Sequence, residues 1–64
     1  MNQTFRPYIE KPFTVTVKES NGSAYRVGVF VNEAEAINEA RIDKAEDPTC
    51  EFTVWNKLQK IATF

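Results

Sequence analysis

The sequence contains no histidine, one cysteine and two glycines among its 64 residues. Without histidine, the chain lacks the commonest general base and the commonest metal ligand of proteins. One cysteine forms no internal disulfide bond, and without histidine it makes none of the usual zinc sites. Neither glycine belongs to a phosphate-binding GxxxxGK or GxGxxG motif. We therefore predict a protein without catalytic residues, metal site or cofactor.

Long apolar runs are also lacking. No segment approaches the roughly 18 consecutive apolar residues of a membrane span, and the first residues have no apolar region like that of a signal peptide. The single thiol, Cys50, is typical of a reducing cytoplasm. These features predict one cytoplasmic domain, residues 1–64, with no membrane partner. Within it, residues 1–12 are a candidate extended arm.

Two segments with period-two alternation predict a β-hairpin. Residues 13–19 and 24–31 each alternate apolar and polar side chains, and a Ser-Asn-Gly-Ser turn separates them. A two-residue loop would turn the two apolar faces apart, whereas a three-residue loop, residues 21–23, brings them together; a five-residue loop gives the same register. The predicted register joins Val17 with Val27, Val15 with Val29 and Phe13 with Val31.

An amphipathic helix is predicted next. Asn32 is a candidate N-cap with Glu35 three positions later, residues 33–46 are rich in alanine and glutamate, and Pro48 ends the segment. A third strand starts near Thr49. Residues 59–64 are interpreted either as a continuation of that strand or as a tail that folds back.

These elements predict an α+β domain of β-β-α-β order. A right-handed crossover through the helix places the third strand beside the first, which gives a three-stranded antiparallel sheet of order 2-1-3 with the helix on one face. The predicted core consists of Phe13, Val15, Val17, Tyr25, Val27, Val29, Val31, Ile37, Ala40, Phe52 and Val54. Cys50 alternates with Phe52 and Val54 and is therefore expected to be buried as well.

The sheet face away from the helix is the main candidate binding surface. It is predicted to carry two large aromatic residues, Phe30 and Trp55, beside three cations, Lys18, Arg26 and Lys57. Exposed apolar patches with a polar rim usually mark interaction sites.

Three interpretations of this face remain open. It is covered by the chain's own ends, it docks on another protein or a second copy, or it stacks the bases of a single-stranded nucleic acid. The ends that would cover it carry Phe5, Tyr8 and Ile9 on one side and Ile61 and Phe64 on the other.

The helix offers a second candidate surface. All but two of the nine acidic residues lie between residues 33 and 51, and Ile42 falls on the acidic side of the helix beside Glu39. This arrangement is either a solvated face with one exposed apolar residue or an acidic patch with an apolar anchor. The second interpretation suits a basic groove that normally holds nucleic acid.

The pattern over residues 13–54 resembles that of a family of small phage proteins. The segments that carry the likeness are Val17-Lys18-Glu19-Ser20, Val29-Phe30, Glu35-Ala36, Ala40, Pro48 and Glu51-Phe52-Thr53-Val54. They look like the podophage inhibitors of bacterial RNA polymerase. That family has arginines at the end of its third strand, where this chain has Trp55-Asn56-Lys57-Leu58.

The resemblance implies a phage-encoded inhibitor that binds a host protein in the host cytoplasm. The host protein is RNA polymerase or a defence or nucleic-acid enzyme, because anti-CRISPR and anti-restriction proteins are of similar build. A nucleic-acid-binding module and a self-assembling protein are the alternatives.

Overall fold

The computed structural model describes residues 11–64, which form four antiparallel strands and one helix. The elements are β1 Phe13–Lys18, β2 Ala24–Phe30, α1 Glu33–Glu46, β3 Glu51–Asn56 and β4 Gln59–Thr63. The spatial order of the strands is β2-β1-β3-β4. The predicted α+β class and the 2-1-3 arrangement are confirmed. The prediction of a three-stranded sheet is wrong, because β4 adds a fourth strand.

Helix α1 has the predicted bounds and the predicted N-cap. Asn32 is extended, with φ −132°, and its side-chain oxygen accepts a hydrogen bond from the backbone N–H of Glu35 at 2.9 Å. The helix ends at Asp47, whose N–H donates to the carbonyl oxygen of Asp43 before Pro48 interrupts the pattern. Ala36 and Ala40 are fully buried, and these small side chains let the helix approach the sheet closely.

The core lies between α1 and the two central strands. Val15 is directly opposite Val54, and Val17 is directly opposite Phe52, so the helix-facing sides of β1 and β3 form one apolar surface. The buried cluster consists of Val15, Val17, Ala36, Ala40, Cys50, Phe52 and Val54. The predicted burial of Cys50 is confirmed, and Phe13 and Ile37 contact this cluster while partly exposed.

Strand β4 decides between the two interpretations of residues 59–64. The chain reverses after Asn56, which pairs with Gln59, and Lys57 in the turn has a φ of 58°. Phe64 exchanges backbone hydrogen bonds with Phe52. The segment therefore forms a hairpin with β3, because bending back gives its backbone groups partners that a straight continuation lacks.

The predicted register of the β1–β2 hairpin is wrong. Near the turn, Val17 is opposite Tyr25, and the three-residue loop is 20–22, one residue earlier than expected. Gly22 adopts the positive φ, 95°, that such a loop requires. A β-bulge then inserts one extra residue into β2, so that Val15 is opposite Gly28 and Phe13 is opposite Phe30.

From Gly28 onward, the bulge reverses which side chains of β2 face the helix. Phe30 contacts the core cluster instead of lying on the outer face. A Cβ atom on Gly28 would lie 3.3 Å from two atoms of the Phe30 ring, so the absent side chain makes room for that ring. Burying a phenylalanine ring removes more apolar area from water than burying a valine, which favours the bulged register.

Four residues that were predicted to lie in the core are exposed. The bulge turns Val29 to the outer face, opposite Thr14, whereas Tyr25 keeps the helix side, opposite Val17, and is exposed there. The exposed fractions are 53% for Tyr25, 39% for Val27, 38% for Val29 and 47% for Val31.

Candidate binding surfaces

The outer face of the sheet is centred on Trp55. Its indole N–H donates a hydrogen bond to the hydroxyl of Thr16 at 2.9 Å, and the side chain is half-buried. The ammonium group of Lys60 lies 5.7 Å from the centroid of the Trp55 ring, a distance at which a cation is attracted to an aromatic face. The Trp55 ring is thus engaged by the protein itself on at least one face.

Two of the predicted cations join Trp55 on this face, and one does not. Arg26 is directly opposite Thr16, whose hydroxyl accepts the Trp55 hydrogen bond, and exposed Lys18 belongs to the same alternating set of β1. Lys57 is exposed in the β3–β4 turn, where its N–H donates to the carbonyl oxygen of Pro12. Phe30 is absent from this surface, so the predicted pair of aromatics is wrong.

The chain's C-terminal end does not cover the outer face. Ile61 and Phe64 contact the core cluster, and the guanidinium of Arg41 on the helix lies 5.7 Å from the Phe64 ring centroid. These side chains therefore lie on the helix side of the sheet. The corresponding expectation for Phe5, Tyr8 and Ile9 concerns positions outside the described residues.

The helical candidates occupy one side of α1. Ile42 is exposed, as predicted. Glu39 is half-buried, and a hydrogen bond with Asp43, together with partial burial and the negative charges of Asp43 and Glu46, raises the pKa of its carboxyl group. One side-chain oxygen of Asp43, Oδ2, is buried and has no hydrogen-bond partner among residues 11–64. This side of the helix is consequently short of positive charge.

Strand β2 is a third surface, which the sequence did not indicate. It pairs only with β1 in the described sheet, and the buried helix residues contact a core built from β1 and β3. Among residues 11–64, nothing therefore pairs with the outer edge of β2, where Tyr25 and Val27 are exposed. The hydroxyl of Tyr25 donates a hydrogen bond to the carboxylate of Glu19 at 2.9 Å, which raises the Tyr25 pKa and fixes the ring in place.

A groove of about 350 Å³ runs between β2 and the C-terminal half of α1. Its apolar floor and wall are contributed by Val17, Tyr25, Val27, Cys50 and Phe52. Its acidic lining consists of Asp43, Glu46 and Asp47 from the helix end, and Arg26 of β2, at a register position of the outer face, also borders it. The groove is thus apolar inside and predominantly acidic along its helical side.

The end of the groove is braced by a small hydrogen-bond network. The thiol of Cys50 donates to Asp47 Oδ2 at 3.3 Å, and Lys44 Nζ donates to the carbonyl oxygen of Cys50 at 2.8 Å. The hydrogen bonds from Cys50 and Thr49 lower the pKa of Asp47, while burial and the Asp47 carboxylate raise the pKa of the thiol. Cys50 therefore keeps its proton at neutral pH and is a poor nucleophile.

Metal and membrane features are absent from the part of the chain that the structure describes. No group of three or more histidine, cysteine, aspartate or glutamate side chains is arranged to hold a metal ion there. Across the same residues, no helix has both the length and the apolar character needed to cross a membrane. Comparisons with protein-family models, with curated proteins and with solved structures find no match to this chain.

Proposed function

We propose that this domain is a non-catalytic binding protein that docks another protein along strand β2. The observation that carries the proposal is an edge strand of seven residues with large apolar side chains left in solvent. Natural proteins usually cover, charge or shorten such an edge, because its unpaired N–H and C=O groups accept a strand from another chain. An edge left open in this way is suited to partner binding by strand addition.

The opposite edge of the sheet provides an internal contrast. Strand β4 has five residues, a lysine at Lys60, and a register shift beside Trp55. Short length, lysine and bulges are the devices that protect an edge from pairing. Strand β2 also has a bulge, but Tyr25 and Val27 remain exposed on it. The difference between the two edges favours β2 as the binding edge.

The chemistry of the lone thiol supports a non-catalytic role. Cys50 is buried, donates its proton to Asp47 and has a raised pKa, and the sequence has no histidine to activate it.

We extend the proposal to a phage-encoded inhibitor acting on a host protein in the host cytoplasm. Its support is the pattern resemblance to the podophage inhibitors of bacterial RNA polymerase. The acidic side of α1, with Glu39 and exposed Ile42, adds a complementary field for a basic host surface. RNA polymerase and a defence or nucleic-acid enzyme are the host proteins that this reasoning favours.

Binding to a protein ranks ahead of binding to single-stranded nucleic acid because of Trp55. Base stacking needs a free aromatic face, and the ring of Trp55 is half-buried, held by Thr16 and approached by Lys60. Val27 and Val29 of β2, by contrast, are exposed.

The proposal is tested by affinity capture from bacterial lysate, with and without nuclease treatment, with three versions of the tagged chain. Val27→Lys places a charge on the β2 edge, and Gln59→Lys places the same charge on the β4 edge, where the residue is already exposed. We expect the wild type and Gln59→Lys to retain one stoichiometric host protein and Val27→Lys to lose it. Circular dichroism establishes that both variants are folded.

Two results would overturn the proposal. Capture that is equal for Val27→Lys and wild type would exclude β2 as the docking edge. Capture that disappears with nuclease would assign the chain to nucleic acid. Light scattering on the same samples identifies self-assembly, in which Val27→Lys converts a dimer into a monomer and no host protein is retained.

A further inference from the structure

We infer that the groove beside β2 receives an arginine or lysine side chain from the strand that docks there. This inference rests on the proposed function, because it names the chemical class of the segment that β2 binds. It adds a requirement that strand pairing alone does not impose. The docked segment is extended, alternates in polarity, and carries a cation on the side that faces α1.

The first argument is the charge of the groove. Asp43, Glu46 and Asp47 contribute three acidic residues to its lining. Of the neighbouring cations, Lys44 donates to the carbonyl oxygen of Cys50, and Arg26 has the register position of the outer face, opposite Thr16. Glu39 adds a further carboxyl group next to Asp43 on the same helix. An incoming cation reduces the repulsion between these groups, and its attraction to them is stronger at a partly buried site than in bulk water.

The second argument is an unsatisfied acceptor. Asp43 lines the groove, and its buried Oδ2 atom receives no hydrogen bond from any residue between 11 and 64. Buried polar atoms in proteins nearly always have a partner. A guanidinium carries five N–H donors and an ammonium carries three, so either group can donate to the carboxylate of Asp43, a residue that lines the groove.

The third argument is the shape of the groove. Its volume is about 350 Å³, and Val17, Val27 and Phe52 form an apolar lining below the carboxylates. Lysine and arginine combine a long aliphatic stem with a charged end. The stem fits the apolar lining while the charge reaches the helix, and Tyr25, fixed by Glu19, provides an aromatic wall.

The geometry of strand addition places the cation correctly. A strand added to β2 lies about 4.8 Å from it, and every second side chain then faces α1. Tyr25 and Val27 line the groove on that same side of the sheet. The docked segment therefore needs one basic residue with an apolar residue two positions away on each side. The charge of the basic residue then faces the groove, and the two apolar residues contact β2.

Arg26 is the competing occupant from within the chain. It is exposed and borders the groove, although its register position opposite Thr16 belongs to the outer face of the sheet. If Arg26 neutralises the carboxylates in solution, then Arg26→Gln lowers the stability of the free protein. If a partner supplies the cation, then Arg26→Gln instead increases the affinity for a basic segment, because one repelling charge is removed.

The inference is tested by titrating three synthetic peptides into the ¹⁵N-labelled full chain and following backbone amide shifts by NMR. Each peptide has nine residues and blocked ends, with threonines on one face. The other face carries valine, a central test residue and valine. The test residue is arginine, its neutral analogue citrulline, or glutamate. We expect the arginine peptide to shift the amides of β2 and to bind at least about tenfold more tightly than the citrulline peptide, with the glutamate peptide weakest.

Matched variants assign the preference to the groove. Asp43→Asn combined with Glu46→Gln removes two charges from the lining and should abolish the preference for arginine. Glu33→Gln combined with Glu35→Gln removes two charges from exposed positions in the first turn of the same helix and should leave the preference unchanged.

The outcomes separate the inference from the proposal on which it rests. Equal binding of the arginine and citrulline peptides, with shifts on β2, overturns the cation requirement and leaves strand docking intact. Loss of the preference in the first-turn control assigns it to overall charge and also overturns the inference. Shifts confined to β4 or to the surroundings of Trp55, or no shifts with any peptide, count against both. Destabilisation by Arg26→Gln without a gain in affinity identifies Arg26 as the occupant.

Discussion

The helix N-cap provides a quantitative test of how α1 is held against the sheet. Replacing Asn32 by alanine removes the acceptor for the Glu35 N–H, a hydrogen bond of 2.9 Å. Loss of an N-cap side chain costs about 1 kcal/mol, within a range of about 0.5–2 kcal/mol. The unfolding entropy is about 2.1 cal/mol/K per residue, or about 0.13 kcal/mol/K for a chain of this length, so Asn32→Ala should lower the Tm by about 7 °C.

Thermal unfolding followed by circular dichroism and by Trp55 fluorescence measures this shift. Asn32→Ser keeps a side-chain acceptor and should stay within about 0.5 kcal/mol of the wild type, because serine is an equally good N-cap. Asn38→Ala is the matched control, since Asn38 is exposed within the same helix and alanine has the higher helix propensity there. A wild-type Tm for Asn32→Ala, or an equal loss for Asn38→Ala, would refute the role of the cap.

Three further predictions concern the helix and the thiol. Glu39→Gln should stabilise the protein at pH 7 by about 0.2–0.5 kcal/mol, the usual size of a like-charge i,i+4 repulsion. The pKa of Glu39 is raised in the folded protein. The wild type therefore loses stability as the pH rises from the ordinary glutamate pKa of about 4.3 through the higher pKa of the folded state. The difference in unfolding free energy should therefore vanish near pH 3, and a pH-independent difference in urea melts would contradict this. Ala40→Leu should cost about 1–3 kcal/mol by overpacking a fully buried site, whereas Ala45→Leu, at an exposed position, should change stability by less than about 0.5 kcal/mol; similar urea midpoints for the two variants would contradict the close helix–sheet contact. Cys50 should react with an aromatic disulfide reagent at least about tenfold more slowly in the folded protein than in urea, and equal rates would show that the thiol is accessible.

The helix and the central strands could be predicted because local signals and the tertiary structure agree in those segments. The Asn32 cap, the alanine-rich face and Pro48 each define one boundary or face of α1 without reference to the rest of the chain. Strand β1 alternates strictly and β3 alternates from Glu51 to Val54, which matches the burial of Val15, Val17, Phe52 and Val54, although Thr53 is buried as well. For such segments the periodicity of the sequence is sufficient to predict the type of element and its buried face.

The register of β2 could not be predicted from alternation alone. Tyr25, Val27, Val29 and Val31 alternate as regularly as a buried strand does, and nothing in that pattern marks an extra residue. Gly28 was the available signal, since an isolated glycine in a strand often marks a bulge. Phe30 was the second signal. It lies between two of the alternating valines and so points to the other face of the strand, and its ring offers more apolar area to the core than a valine does.

The sequence predicted neither the β3–β4 hairpin nor the groove beside β2, for different reasons. The β3–β4 turn contains Lys57 and Leu58 instead of a glycine or an Asn-Gly pair, and neither residue type signals a reversal of the chain. Leu58 is 96% exposed in this turn. The groove depends on the placement of Asp43 and Glu46 against Tyr25. That relation follows from where the helix crosses the sheet, which sequence periodicity does not specify.

The most direct test of β2 as the docking strand is amide hydrogen exchange of the chain, free and in complex with its captured partner. The account predicts that protection increases along Ala24–Phe30, at amides that β1 leaves unpaired, while Gln59–Thr63 on the other edge is unchanged. Protection that increases along β4 or around Trp55, with β2 exchanging as it does in the free protein, would contradict it.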